Sequence, residues 1–130
     1  MKSLLLATLF VLFLSLKINA QCPPVNYIIN GQAKLNQFQT LYPNCTELNG
    51  LLAFQSPAYD LSPLSLIEKT KGNETFSDCY NFLGLLGMSA LKEINGNLLV
   101  DDMDSLFDFS GLETLEKIGG ILELLTIINY

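Results

Sequence analysis

The sequence contains no histidine and no arginine, and these two absences narrow the chemistry open to the protein. Without an imidazole, a cysteine nucleophile has no partner base. Without arginine, clustered carboxylates have no planar cation to clamp an acidic sugar. We therefore expect a protein that is not an enzyme. The acidic cluster Asp101–Asp108 fails as a calcium loop, because Leu106 and Phe107 stand where an oxygen ligand and the turn glycine are needed, so we also expect no metal site and no cofactor site.

Positive charge is also scarce. Two of the seven lysines, Lys2 and Lys17, lie in the first twenty residues, so five lysines face thirteen acidic residues over residues 21–130 and the net charge there is −8. No basic stripe is present to displace phosphate counterions, which argues against nucleic acid as a partner. The acidity keeps an apolar-rich chain soluble, and it also suits a basic partner.

Long apolar runs are missing except at the start, where the run Leu4–Leu16 follows a charged N-terminus and precedes Ala20. This pattern is typical of a secretory signal peptide over residues 1–20, and its core is too short to span a bilayer comfortably. An uncleaved signal anchor is the alternative. We expect a secreted, extracellular protein with no membrane span after removal of the signal, and residues 21–130 as its single domain.

The sequence does contain a repeat. The segment Leu91–Val100 is followed 24 residues later by a matching segment, Leu115–Leu124, and weaker copies occupy residues 61–76 and 48–54. The matching positions are Leu91, Ile94, Gly96, Leu98 and Val100 with Leu115, Ile118, Gly120, Leu122 and Leu124. Repeats of this length predict stacked coils, that is, a leucine-rich-like α/β solenoid.

Each copy has two halves with different apolar spacing. The first half places an apolar residue at every third position from Leu85 to Ile94, which is typical of a tight turn or a short helical segment. The second half, Gly96–Val100, alternates as a strand does, and its even positions face inward. One coil cannot bury its own inward row, so we expect successive strands to form a parallel sheet. Glu74 breaks the inward pattern, which predicts the end of the sheet or a slip of register there.

Apolar residues along one side of residues 33–42 predict a short amphipathic helix that caps the first coil. Cys22 and Cys45 lie on either side of this helix. A disulfide between them would stabilise the folded state by about 3 kcal/mol in the chain-entropy model. We favour this disulfide over pairs 22–79 and 45–79. Cys79 then remains as a buried thiol, with a link to another chain or a missing partner as alternatives.

Two glycosylation sequons are present, Asn44-Cys45-Thr46 and Asn73-Glu74-Thr75. Asn44 precedes a cysteine that we expect in a disulfide. Asn73 is expected to face solvent on the outer side of a strand.

The motifs, in this order, resemble the receptor L domain, the ligand-binding module of the extracellular parts of the epidermal growth factor receptor and insulin receptor families. The resemblance covers nearly all of residues 21–130. It is carried by Cys22-Pro23, by Cys45-Thr-Glu-Leu48-Asn-Gly50, by Asp60-Leu61-Ser62-Pro63-Leu64 and by Leu115-Glu-Lys-Ile118-Gly-Gly120.

The resemblance implies a right-handed β-helix of about four coils with parallel strands and an N-terminal cap helix. It also implies a binding function, as a soluble binder or decoy for a growth-factor-like or insulin-like protein ligand. The family's later coils and closing cysteine have no counterpart here, which predicts a C-terminally incomplete domain. The alternative function is a structural, self-associating extracellular protein that pairs through an open C-terminal strand edge.

The outward positions of the predicted strands include four apolar residues, which we take as the candidate protein-binding face: Leu51, Ala53, Leu99 and Ile121. Polar residues are the usual occupants of such positions, and an exposed apolar patch marks interaction surfaces. A covering layer of the same domain is the competing explanation.

Overall fold

A computed structural model describes residues 22–56, 58–79, 84–103, 105–106 and 108–125. The predicted signal peptide, residues 1–20, lies outside the described residues. No helix within the described ranges is long and apolar enough to cross a membrane.

The described part of the chain starts with one strand and two short helices and then alternates two-residue strands with longer ones. The elements are β1 (Tyr27–Asn30), α1 (Gln32–Asn36), α2 (Phe38–Leu41), β2 (Glu47–Leu48), β3 (Leu52–Ser56), a 3-10 helix (Ser62–Leu64), β4 (Lys69–Thr70), β5 (Glu74–Ser77), β6 (Glu93–Ile94), β7 (Leu98–Asp101), β8 (Lys117–Ile118) and β9 (Leu122–Leu125).

The strands form two parallel sheets, which confirms the parallel pairing predicted from the repeat. The first sheet has the order β1-β3-β5-β7-β9, and the second has the order β2-β4-β6-β8. Glu74 pairs with Leu98, and Leu98 pairs with Leu122, so neighbouring strands are offset by the 24 residues of the repeat. Each repeat therefore adds one strand to each sheet.

The repeated glycines lie above one another, as the repeat predicts. The Gly96 amide donates to the carbonyl of Gly72 at 3.2 Å, and the Gly120 amide donates to the carbonyl of Gly96 at 2.9 Å. A Cβ atom on Gly96 would lie 2.7 Å from the carbonyl carbon of Gly72. Glycine is needed here because the backbones of successive repeats approach too closely for a side chain.

Alternation in the longer strands places one row of side chains in the core. In β5 and β7, buried residues alternate with half-buried ones. The rings of Phe54 and Phe76 stack at 4.9 Å in neighbouring strands. The residues spaced by three, Leu85, Met88, Leu91 and Ile94, are also buried. Each large apolar side chain buried in this way stabilises the fold by about 1.5–3 kcal/mol.

Two local predictions need correction. The first half of the repeat contains the expected turns and, in one repeat, a short 3-10 helix, Ser62–Leu64, but it ends in a two-residue strand such as β6, which we did not predict. The predicted cap helix over residues 33–42 is two short helices, α1 and α2, which meet at Gln37.

The N-terminal end of the core is covered as predicted. Leu35 and Phe38 from the two helices are buried, and the Phe38 ring meets that of Tyr27 edge-on at 5.1 Å. The disulfide Cys22–Cys45 is present, which confirms the favoured pairing. It ties the segment before β1 to the residues before β2, on either side of the cap helices.

The expectation for Glu74 is wrong. The residue lies in the middle strand of the first sheet and pairs in register with Leu52 on one side and Leu98 on the other. The register shift in this sheet lies elsewhere, between Ile29 and Asn30 of β1. The two flanking strands, β3 and β7, have strong apolar patterns that fix the register, and Glu74 is buried as a consequence.

Candidate protein-binding surfaces

The outer face of the first sheet contains the four residues of the predicted binding face. One outer row follows the pairing Ile28, Ala53, Thr75, Leu99 and Glu123. The adjacent outer row contains residues at equivalent positions of successive repeats: Asn26, Leu51, Asn73, Asn97 and Ile121. Hydrogen bonds join Asn26 to Leu51, Asn73 to Asn97, and Asn97 to Ile121.

These four residues do not form the continuous exposed patch that we predicted. Ala53 is only 5% exposed, because it is small and lies between Ile28 and Thr75 of the flanking strands. Leu51 and Leu99 are half-buried, whereas Ile121 is 66% exposed. The structure therefore places all four on one face, but only Ile121 is largely exposed.

Asparagine side chains occupy most of the outer row instead. The Oδ1 atom of Asn26 accepts the Leu51 amide, that of Asn73 accepts the Asn97 amide, and that of Asn97 accepts the Ile121 amide, each at 2.9 Å. Each bond satisfies a backbone donor of the next repeat at the entrance to its strand. This asparagine ladder makes the centre of the face polar.

Exposed apolar side chains concentrate around β9. We call this the β9 surface, and its members are Ile121, Leu122, Leu124 and Leu125, which are between 41% and 66% exposed. Leu122 and Leu124 occupy the inward positions whose equivalents in β7, Leu98 and Val100, are buried. Within the described residues, β9 pairs with β7 on one side and with no strand on the other.

The outer face of the second sheet is charged and internally paired. Glu47, Lys69, Glu93 and Lys117 follow one another in register across its four strands. Glu93 bridges two lysines, with 3.0 Å to Lys69 Nζ and 2.6 Å to Lys117 Nζ. Hydrogen bonds from these lysines lower the pKa of Glu93. Opposite charges in neighbouring strands favour this register.

A shallow groove with a volume of about 210 Å³ lies on this face, lined by Thr46, Glu47, Glu68, Lys69, Lys92 and Glu93. A second bridge, Lys92 to Glu68 at 3.0 Å, lies in the groove. Because its charges already neutralise one another, the groove offers no strong field to a charged ligand.

Glu74 is the one acidic side chain buried in the described core. Neither of its carboxylate oxygens has a hydrogen-bond partner among the described residues, and the same is true of the buried Thr70 hydroxyl. Burial raises the pKa of Glu74 to about 8, so the carboxyl group is mostly protonated at neutral pH. Glu74 occupies a core position that leucine fills in the neighbouring strands, Leu52 in β3 and Leu98 in β7, so its position is that of a core residue.

Cys79 is a free, buried thiol, which confirms the favoured alternative for this cysteine. Its Sγ atom donates to the carbonyl of Ser77 at 3.2 Å, and burial raises its pKa to about 11. A thiol held in this protonated form is a poor nucleophile.

Both predicted glycosylation residues, Asn44 and Asn73, are exposed. Asn44 lies in the turn between α2 and Cys45, beside the disulfide, and Asn73 lies directly before β5 on the outer face of the first sheet. The structure therefore leaves both side chains accessible but places them on different parts of the surface.

Sequence reasoning did not identify the charged row of the second sheet or the asparagine ladder. The signal for both was available in the repeat, because Asn73 and Asn97 are 24 residues apart and the charge alternates at equivalent positions. The exposure of Leu122 and Leu124 had no such signal, because their pattern is that of buried residues in the preceding repeat.

Comparisons with protein-family models, with curated proteins and with solved structures found no match for this chain. The functional argument therefore depends on the surfaces described above.

Proposed function

We propose that residues 21–130 form an exported, non-catalytic binding module that holds a protein partner on the β9 surface. In this proposal the two parallel sheets are the walls of a receptor L-domain-like solenoid, a right-handed β-helix. The motif order from Cys22 to Gly120 supports that classification, and the Cys22–Cys45 disulfide is compatible with an extracellular location.

The observation that carries the proposal is the apolar character of the β9 surface. Leu122 is 52% exposed and Leu124 is 46% exposed, although both occupy positions that are buried in β7. Adjacent exposed apolar side chains of this kind mark interaction surfaces. The charged second sheet and the asparagine ladder offer no comparable apolar area.

The resemblance suggests the class of partner, a growth-factor-like or insulin-like protein. The net charge of −8 over residues 21–130 favours a basic member of that class, because opposite charge accelerates association. Export would also expose the sequons at Asn44 and Asn73 to the glycosylation machinery.

Immobilised protein and a panel of growth-factor-like and insulin-like ligands test the proposal. Leu124→Asp should abolish binding of a ligand that the unchanged protein captures, because it places a charge in the apolar contact. Leu86→Asp is the matched control, since Leu86 is 69% exposed but lies outside the β9 surface. Equal binding by both folded variants would contradict the proposal.

Self-association is a second candidate function, favoured by the unpaired side of β9 within the described residues. A second copy that added its own β9 would continue the first sheet and cover Leu122 and Leu124. Sedimentation equilibrium distinguishes the two functions. Self-association predicts a concentration-dependent increase in mass that Leu124→Asp removes, whereas the ligand-binding function predicts a monomer.

A further inference from the structure

We infer that Asn73 carries an N-linked glycan and that this glycan covers the outer face of the first sheet. The inference rests on the proposed export, because the glycosylation machinery acts on chains in the secretory pathway. It goes beyond that proposal by identifying the modified residue and the surface that becomes closed to partners.

The hydrogen bonding of Asn73 leaves the reactive atom available. Its Oδ1 atom accepts the Asn97 amide at 2.9 Å, which fixes the orientation of the side-chain amide. No hydrogen bond from Nδ2 is present among the residues that the structure describes, and the side chain is exposed. A glycosylated asparagine keeps its carbonyl oxygen, so the ladder bond to Asn97 and the modification are compatible.

The transfer uses an oligosaccharide joined through a diphosphate to a lipid carrier. The Nδ2 atom of Asn73 forms a bond to C1 of the first sugar as the bond from C1 to the diphosphate oxygen breaks. The lipid diphosphate leaves with the electron pair of that bond, and Nδ2 loses one proton to the surrounding solvent. No oxidant or reductant is required.

Asn73 is the ladder asparagine that also has an acceptor sequence. Asn26 and Asn97 lie in the same outer row, but the residues two positions later are Ile28 and Leu99, whereas Asn73 is followed by Thr75. The ladder therefore explains the asparagine side chain at all three positions, and it does not explain the threonine that completes the sequon.

Asn44 is less suited to the reaction once the cap has formed. The residue that follows it, Cys45, is buried and bonded to Cys22, with 4.9 Å between their Cα atoms. This link restricts the backbone beside Asn44. The segment beside Asn73 has no covalent restraint of this kind.

A glycan on Asn73 would lie over the predicted binding face. Asn73 is between Leu51 and Asn97 in its outer row, and Ala53 and Leu99 are in the adjacent row. Neighbouring strands are about 4.8 Å apart, so a branched oligosaccharide on the middle strand extends over the strands on both sides. The glycan closes this face to a protein partner and leaves the β9 surface as the accessible apolar area.

The full chain expressed in eukaryotic cells that secrete glycoproteins tests the inference. Enzymatic removal of N-glycans in heavy-oxygen water converts a modified asparagine to labelled aspartate, which peptide mass spectrometry locates. We expect the label at Asn73. Thr75→Val should remove the corresponding gel shift, Thr75→Ser should retain it, and Thr46→Val should leave it unchanged because that variant affects only the Asn44 sequon.

Surface labelling tests the covering of the sheet. Hydroxyl-radical modification of Leu99 should increase when the glycan is removed, whereas modification of Leu86 should not change. Secreted protein with unlabelled Asn73, or equal labelling of Leu99 with and without glycan, would overturn the inference but leave the binding function standing. Protein that is retained in the cytosol without a glycan would contradict both.

Discussion

Replacing Glu74 with leucine should stabilise the protein and remove much of its pH dependence near neutrality. Glu74 lies between Leu52 and Leu98 in the inward row of the first sheet, and neither of its oxygens has a hydrogen-bond partner in the described part of the chain. The ordinary pKa of 4.5 applies in the unfolded chain, and burial raises it to about 8 in the folded protein.

The sign of the effect follows from proton binding. Between pH 4.5 and about 8 the folded protein keeps the Glu74 proton and the unfolded chain loses it, so the free energy of unfolding decreases as the pH rises. The decrease is about 1.4 kcal/mol per pH unit and reaches about 3 kcal/mol at pH 7. Below pH 4.5 both states are protonated and this penalty disappears.

Leucine at position 74 removes the penalty and restores the apolar row. We expect a gain of about 3 kcal/mol or more at pH 7, which shifts the urea midpoint by about 1–3 M for a typical urea dependence of 1–3 kcal/mol per M. Glu74→Gln should flatten the pH profile with a smaller gain, because its amide is still buried without a partner.

Urea unfolding at intervals from pH 5 to pH 9, with the disulfide intact, measures these changes. Glu116→Gln is the control, since Glu116 is exposed and should leave the slope unchanged. A flat profile for the unchanged protein, or a Glu74→Leu variant that is less stable at pH 7, would refute the reasoning.

Further predictions concern the charged rows, the cysteines and the close backbone approach. Glu93→Gln should lower stability slightly at neutral pH, and the difference should vanish as the pH falls through the lowered pKa of Glu93, as followed by thermal unfolding. Cys45→Ser should cost about 3 kcal/mol by urea unfolding because it opens the loop to Cys22. Cys79 should resist alkylation in the folded protein and react fully in denaturant, as measured by mass spectrometry. Gly96→Ala should destabilise by about 1–3 kcal/mol, because a Cβ atom would contact the preceding repeat, and an unchanged urea midpoint would contradict that contact.

Much of the fold was predictable because the repeat specifies it. The spacing of Leu98 and Leu122 by 24 residues predicts parallel strands in register, and the structure has them. The flanking of the cap by Cys22 and Cys45 predicts their disulfide. Both predictions depend only on the spacing of residues along the chain, which can be read from the sequence.

The second sheet could not be predicted in the same way. Its strands, such as β6 at Glu93–Ile94, are two residues long, and two residues are too few to show an alternating pattern. The spacing by three that precedes them is typical of a helical turn, so it obscures the backbone pairing. Backbone hydrogen bonds between repeats form this sheet. Because almost every residue has the same backbone donor and acceptor, the sequence does not show which residues make these bonds.

The binding surfaces were harder to predict because accessibility depends on neighbours from other repeats. Ala53 lies in the outward row as expected, between Ile28 and Thr75 of the flanking strands, but it is only 5% exposed. Leu124 has the pattern of a core residue, yet it is 46% exposed. The polar side chain of Glu74 led us to predict the end of the sheet or a register slip there. The prediction was wrong because the flanking strands determine the burial of Glu74 more strongly than its polarity does.

Backbone nuclear Overhauser effects in isotope-labelled protein test the repeat geometry most directly. The outward residues Thr75, Leu99 and Glu123 belong to successive strands and should show contacts from Thr75 to Leu99 and from Leu99 to Glu123, in parallel order. Contacts in antiparallel order, or a one-residue offset that would move Leu98 to the outer face, would contradict the account.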